Sequence, residues 1–258
     1  SNFALYNNIG TPAPGLVALA LPFNGQVRSF SVSSSNVLYV GGFFSTADGN
    51  AVNNIAAFDA TTGAFYPGFL PVVADIVYTI AATDTAIYIG GAFGQVNSDG
   101  GKSYAAALYP ALDAQAGNLI ASWDPNPFNP EVRTISTSGS SLYAGGQFTS
   151  IGGVKRPYLA ALDATTGKPT PWNPQPDNHV YSLALSGGNL YVGGTFTQIA
   201  GDTRSCLASI DTSTGTSDSG FPAVDAGFSV YTMALRNAML YVGGNYTSIG
   251  SVANNHLA

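Results

Sequence analysis

Glutamate and lysine are almost missing from this chain: one glutamate, Glu131, and three lysines, Lys102, Lys155 and Lys168, stand in 258 residues. Helices draw heavily on both, so an ordinary helical enzyme is disfavoured. Charged residues make up only 9% of the chain, and eight Lys plus Arg against 14 Asp plus Glu leave a net charge of −6. The positive field that attracts phosphate is lacking, which makes nucleic acid and anionic lipid poor partners. The single cysteine, Cys206, has no second thiol to bridge, so a small disulfide-stapled ectodomain is disfavoured and stability must come from packing. No stretch approaches the roughly 18 uninterrupted apolar residues of a membrane-spanning helix, and no membrane insertion is expected. Ser1-Asn2-Phe3 opens without a basic segment feeding a hydrophobic one, as expected of a mature or trimmed chain.

What the chain does have is glycine, 31 of them, beside 45% hydrophobic content. One phrase returns five times: Leu38-Tyr39-Val40-Gly41-Gly42, Ile87-Tyr88-Ile89-Gly90-Gly91, Leu142-Tyr143-Ala144-Gly145-Gly146, Leu190-Tyr191-Val192-Gly193-Gly194 and Leu240-Tyr241-Val242-Gly243-Gly244. The spacings are 49, 55, 48 and 50 residues, and an aromatic follows each Gly-Gly pair, at Phe44, Phe93, Phe148, Phe196 and Tyr246. Such self-similarity marks a repeat protein. Glycine weakens a strand interior, so a repeated pair implies that a neighbouring backbone or side chain comes too close for a Cβ.

Ahead of each phrase, which we term strand b, lies a valine with an apolar residue three later: Val27/Phe30, Val77/Ile80, Val132/Ile135, Val180/Leu183 and Val230/Met233. Turn residues such as Ser186-Gly187-Gly188-Asn189 separate this strand a from strand b, predicting an antiparallel hairpin. A polar loop then leads to strand c, as in Ile55–Asp59, Leu159–Asp163 and Leu207–Asp211, closed by Thr-Thr-Gly or Ser-Thr-Gly. A weaker fourth segment ends in Phe69, Trp123, Trp172 or Phe221 before proline-bearing loops.

Four strands in about 50 residues match the period of a propeller blade of the kelch size. Strand b carries apolar or aromatic residues on both faces, which suits a sheet sandwiched between neighbours. The expected fold is therefore an all-β, five-bladed propeller of four antiparallel strands per blade. It forms one domain over 1–258, with units near 27–76, 77–131, 132–179, 180–229 and 230–258 plus 15–23. The last unit stops at His256-Leu257-Ala258, inside what should be strand c, and the chain opens with a remnant one strand short, Leu16 to Leu21 with Phe23 after it, so residues 15–23 are expected to add the outer strand of the last blade and close the ring. The alternative is a fragment of a longer chain with more blades.

The run Leu159-Ala160-Ala161-Leu162-Asp163-Ala164-Thr165-Thr166-Gly167, continuing through Pro171-Trp172-Asn173-Pro174 to Leu190-Tyr191-Val192-Gly193-Gly194-Thr195-Phe196, resembles the delta-60 repeat of bacterial secreted and surface proteins. The likeness covers residues 27–258, with repeat two departing most through insertions around Asp99-Gly100-Gly101 and Tyr109-Pro110-Ala111. Fungal cell-polarity surface proteins with kelch-like repeats are a weaker resemblance. The resemblance implies a propeller and no shared catalytic set.

The candidate sites divide accordingly. Asp59, Asp113, Asp163 and Asp211 precede Gly-containing turns; each turn offers one carboxylate, so they read as turn residues and no metal site is expected. His179, His256 and Cys206 lie apart, without metal or nucleophile spacing. A glycosidase needs two carboxylates, for which Glu131 with Asp75 or Asp225 is the candidate set, but solvated loop acids are the stronger reading. Arg28, Tyr78, Arg133, Tyr181 and Tyr231 follow the strand-a valine and are expected to form a recognition ring at one channel mouth. Trp123 and Trp172 occupy positions held elsewhere by Phe69 and Phe221, which points to packing. Asn245-Tyr246-Thr247 is a formal glycosylation sequon in a repeat position with no such partner elsewhere.

No catalytic residue, metal or cofactor is assigned, and the ligand-binding residues are unknown. The expected function is a non-catalytic structural or protein-interaction module, extracellular or at the cell surface and part of a larger bacterial assembly. Its partners are other proteins or cell-surface glycans. A lectin-like propeller with one site per blade is the alternative, and a glycoside hydrolase the third reading.

Overall fold

The computed structural model describes residues 2–3, 21–99, 101–127, 130–222, 224, 228–237, 239–250, 252–253 and 256–257. Among them the fold is all-β, built of small antiparallel sheets without a helix. Two compact units divide the chain, Ser1–Ile120 with repeats one and two and Ala121–Ala258 with repeats three to five.

In the first unit, strands Gln26–Val32, Val37–Phe43 and Ile55–Asp59 form one a-b-c sheet, and Val77–Ala82, Ile87–Gly91 and Ala105–Leu108 form the next. In the second unit, Val132–Ser138, Ser141–Gly146 and Leu159–Asp163 are followed by Val180–Ser186, Asn189–Gly194 and Leu207–Asp211. Repeat five has Ser229–Arg236 paired with Met239–Asn245, and Leu257 bridges Gly243 in the register by which Leu207 meets Gly193. The fourth segment is reduced to one bridge on strand c, as at Phe58–Phe65, Leu108–Leu119, Leu162–Pro169 and Ile210–Ser217. Prolines such as Pro67 and Pro169 remove the donors that a longer ladder would need.

The stretch between strands b and c, expected as a plain polar loop, is a second hairpin in four repeats. Thr46–Ala47 pairs with Asn50–Ala51, Ser150–Ile151 with Val154–Lys155, Gln198–Ile199 with Asp202–Thr203, and Ser248–Ile249 with Val252–Ala253. Its two central residues both have positive φ in Asp48-Gly49, Gly152-Gly153 and Ala200-Gly201, the twist-matched geometry of a tight hairpin.

The Gly-Gly pairs have two separate causes. All five strand-a/strand-b ladders slip by one residue directly after the valine, so that Val180 opposes Gly194 while Ser182 opposes Gly193. This β-bulge swings the preceding carbonyl, that of Gln26, Ile76, Glu131, His179 or Ser229, onto the place where a Cβ of the second glycine would stand. In three repeats the first glycine makes room for the next repeat. A Cβ on Gly41 would stand 2.7 Å from Val77 Cγ1, and one on Gly145 or Gly193 would stand 2.5 Å from Cγ1 of Val180 or Val230. Each seated valine is fully buried and contributes about 2 kcal/mol of apolar transfer.

Strand b is buried on both faces in the first three repeats, as its residue pattern predicts, and is largely exposed in repeat five. In the first unit Leu38 and Val40 pack with Leu21, Phe23, Phe44 and Phe58, while Tyr39 packs with Phe69, Val77 and Ile80. The strand-b tyrosine also meets the fourth-segment aromatic in three repeats: Tyr39–Phe69 at 5.2 Å, Tyr143–Trp172 at 5.2 Å and Tyr191–Phe221 at 5.3 Å between centroids. Such edge and tilted contacts add to area burial. Of the expected closing strand, residues 15–20 lie outside the described residues; Leu21–Pro22 pair with Asn2–Phe3, and Phe23 bridges Ala47.

Candidate functional site

One end of each a-b-c sheet carries three positions whose residue type changes from repeat to repeat, while the frame around them stays constant. The first precedes the strand-a valine: Gln26, Ile76, Glu131, His179 and Ser229. The second is the residue at the bulge, Arg28, Tyr78, Arg133, Tyr181 and Tyr231, the set expected to face recognition. A bulge re-aims its side chain out of the ladder, which explains why this position escapes the packing constraint on the valine.

The third position immediately precedes strand c: Asn54, Tyr104, Tyr158, Cys206 and His256, with φ of 66°, 65°, 66°, 63° and 68°. A left-handed non-glycine residue costs about 1–2 kcal/mol. The conformation persists because each residue donates its N–H to the carbonyl of the aromatic after Gly-Gly and accepts the N–H of the second glycine. For Tyr158 these bonds are 2.9 Å to Phe148 O and 2.9 Å from Gly146 N; for His256 they are 3.1 Å to Tyr246 O and 3.0 Å from Gly244 N. Both bonds anchor this residue beside the bulge, so the three variable positions share one end of the sheet.

In the unit Ala121–Ala258 these positions converge. Tyr158 lies 5.4 Å from His179, His179 lies 6.1 Å from Tyr181, and Tyr181 lies 5.8 Å from Tyr231 with the last two rings tilted by 38°. His179 Nδ1 stands 3.4 Å from the Tyr181 hydroxyl. Glu131 is ion-paired with Arg133 and accepts a hydrogen bond from Gln147 Nε2 at 3.5 Å. Burial lowers the His179 pKa from its ordinary 6.5, the Arg133 charge lowers it further, and Glu131 opposes them. The imidazole is therefore neutral at pH 7 and offers one donor and one acceptor. Tyr231 is 56% exposed, while Glu131, Arg133, Tyr158, His179 and Tyr181 are half-buried.

The remaining candidates have structural partners. Asp163 Oδ1 accepts from Thr165 N, Thr166 N and Thr166 Oγ1, and Asp59 makes the same three bonds with Thr61 and Thr62. Asp211 accepts four, from Ser213 N and Oγ and from Thr214 N and Oγ1, which hold its pKa down to about 2. Asp113 accepts from Gln115 N. Each carboxylate thus caps its own turn. Among the described residues no group of three His, Cys, Asp or Glu converges.

Asp75, in Ser1–Ile120, accepts from Ile76 N, and Asp225 lies outside the described residues. Arg28 donates to Gln26 Oε1 at 2.6 Å. Trp123 and Trp172 are buried, and Trp172 Nε1 donates to Asp211 O at 2.9 Å, so neither presents a ring face for stacking. Cys206 Sγ donates to Phe228 O at 2.7 Å. Asn245 is exposed at the end of strand b, opposite Ser229.

Sequence reading missed Tyr158 and Gln147 and set His179 aside. Aligning the residue before each strand c would have shown the variable column Asn54, Tyr104, Tyr158, Cys206 and His256.

No family model matches the chain, and no curated protein matches it. Solved structures similar to it include the computationally designed Ika4 protein, with a TM-score of 0.47 and 12% identity over 74% of this chain and 93% of that one. The computationally designed Ika8 protein has a TM-score of 0.47 and 14% identity, covering 87% of this chain and 70% of that one.

Proposed function

We propose that the chain is a five-bladed β-propeller of the delta-60 type. It serves as a non-catalytic extracellular structural or protein-interaction module of a larger bacterial surface or secreted assembly. The observation that carries this reading is the seat of a strand-a valine in the glycine gap of the preceding strand b, as in Val77 at Gly41, Val180 at Gly145 and Val230 at Gly193. The same seat applied from one repeat to the next turns successive sheets by a similar amount, the construction of a ring of blades.

Closure of the last unit by residues 15–23, as its outer strand, completes this reading. The ring reading is supported by Tyr241: it is 43% exposed, whereas its counterpart Tyr39 is buried against Val77 and Ile80 of the following repeat, so repeat five keeps a face free for a further sheet. Small-angle scattering of the purified chain tests the architecture. A compact monomer with the radius of a closed disc is expected, and an elongated or concentration-dependent particle would refute self-closure.

The non-catalytic part rests on Glu131, whose carboxylate is engaged by Arg133 and Gln147. Polysaccharide turnover that disappears in Glu131→Gln would overturn it and restore the hydrolase reading. The lectin-like alternative is favoured by the aromatic row of repeats three to five.

A further inference from the structure

We infer that the row Tyr158, His179, Tyr181 and Tyr231, with Glu131 and Arg133 beside it, is a single binding site for a neutral oligosaccharide. The inference rests on the reading of the chain as a non-catalytic binding module, and it replaces one site per blade by one site per chain.

The count comes from the break in repeat symmetry. The packing frame is constant in all five repeats: valine, bulge, Gly-Gly, aromatic, left-handed residue. At the variable end, a bulge tyrosine with an aromatic on both flanking positions occurs among the described contacts only around Tyr181, where Tyr158 and His179 lead to it and Tyr231 follows. A five-fold set of sites would need the same residues in every repeat. Gln26, Ile76 and Ser229 at the position of Glu131 and His179 rule that out.

The ligand class follows from charge and shape. Glu131 and Arg133 neutralise each other, and His179 is uncharged at pH 7, so the site carries no net charge to select an ion. It is nonetheless dense in donors and acceptors: three phenol hydroxyls, an imidazole and the Gln147 amide do both, the carboxylate accepts and the guanidinium donates. Sugar hydroxyls need such paired donors and acceptors, and the apolar C–H face of a pyranose packs on exposed tyrosine. A peptide anchor side chain needs a concave pocket. Two cavities of the unit Ser1–Ile120, around Tyr39 and Asp84 and around Asn24 and Phe43, are lined by other residues, and Tyr231 is exposed at the end of the row.

The test is calorimetric titration of the full chain with cello-, xylo-, manno- and chito-tetraose, and with poly-L-proline as the peptide probe. The expected result is binding of at least one tetrasaccharide at one per chain. Tyr181→Ala and Tyr231→Ala should weaken it at least tenfold, Tyr231→Phe less, with melting midpoints unchanged for the exposed Tyr231 variants. Loss of binding in Glu131→Gln without loss of fold would place the carboxylate on a hydroxyl. The inference is overturned if no tetrasaccharide binds, if five bind per chain, or if the tyrosine variants bind as the parent does. Binding of poly-L-proline alone would overturn it while leaving the interaction-module reading standing. Cleavage of a bound tetrasaccharide would instead overturn the non-catalytic reading and leave the site in place.

Discussion

Gly193 and Val230 stand in adjacent repeats, and a Cβ on the glycine would lie 2.5 Å from Val230 Cγ1, 3.2 Å from its Cβ and 3.3 Å from Met233 Cε. Three methyl-bearing atoms, none of them the end of a long flexible chain except the last, define the gap. Gly193→Val is expected to destabilise by about 2 kcal/mol or more through overpacking. Pairing Gly193→Ala with Val230→Ala should recover part of the loss of either change, because the two alter one contact. Urea midpoints of the four proteins measure this coupling, and additive losses would refute the seat.

Phe23 is buried against Phe44, at 4.8 Å, and Phe58, at 6.1 Å. Phe23→Ala should cost about 3–5 kcal/mol, read as a lowered melting midpoint. Deleting residues 1–24 removes Leu21 as well and bares this face of strand b, so size-exclusion chromatography should show aggregation or calorimetry a loss of cooperative unfolding. A shortened chain that remains monomeric with the parent melting profile would rule out a role for this segment in holding the fold.

Asp211 has a pKa of about 2 in the folded chain against an ordinary 3.8, caused by the hydrogen bonds from Ser213 and Thr214. The unfolded state therefore binds the proton first as pH falls, so the contribution of this carboxylate is complete above about 3.8 and disappears through about 2. Asp211→Asn should lower the urea midpoint at pH 6, and the gap to the parent should narrow as pH approaches 2. A gap independent of pH would mean that the turn depends on shape and not on charge.

Burial pushes the Cys206 thiol up to about 11. At pH 8 the thiolate is scarce and Cys206 is 1% exposed. Iodoacetamide should label the native chain slowly at pH 8 and the urea-unfolded chain rapidly. Equal rates would contradict the buried position.

Several features were legible because their rules act over a few residues. The alternation in Leu38-Tyr39-Val40, the Gly-Gly phrase, and turns such as Ser186-Gly187-Gly188-Asn189 specify antiparallel hairpins locally, and repetition of the phrase specifies the period. The Asp163-Ala164-Thr165-Thr166-Gly167 turn is equally local, since the carboxylate bonds its own backbone. The small hairpin at Asp48-Gly49 and Gly152-Gly153 was read as a plain polar loop: Asp-Gly and Gly-Gly are turn signals, but the two-residue pairing on either side hid it.

What only tertiary structure decided concerns contacts between residues about 10 to 50 positions apart. The sequence by itself determined that each Gly-Gly pair lacks two Cβ atoms. That the second glycine makes way for a carbonyl of its own repeat, and Gly41, Gly145 and Gly193 for a valine of the next, depends on the bulge and on how sheets stack. Nothing local predicts φ of 66° at Tyr158, because the compensating hydrogen bonds come from Gly146 and Phe148. For the same reason Tyr158, His179, Tyr181 and Tyr231 read as unrelated residues along the chain. They become one surface only when the bulge turns Tyr181 and Tyr231 out of their ladders and packing sets neighbouring repeats side by side.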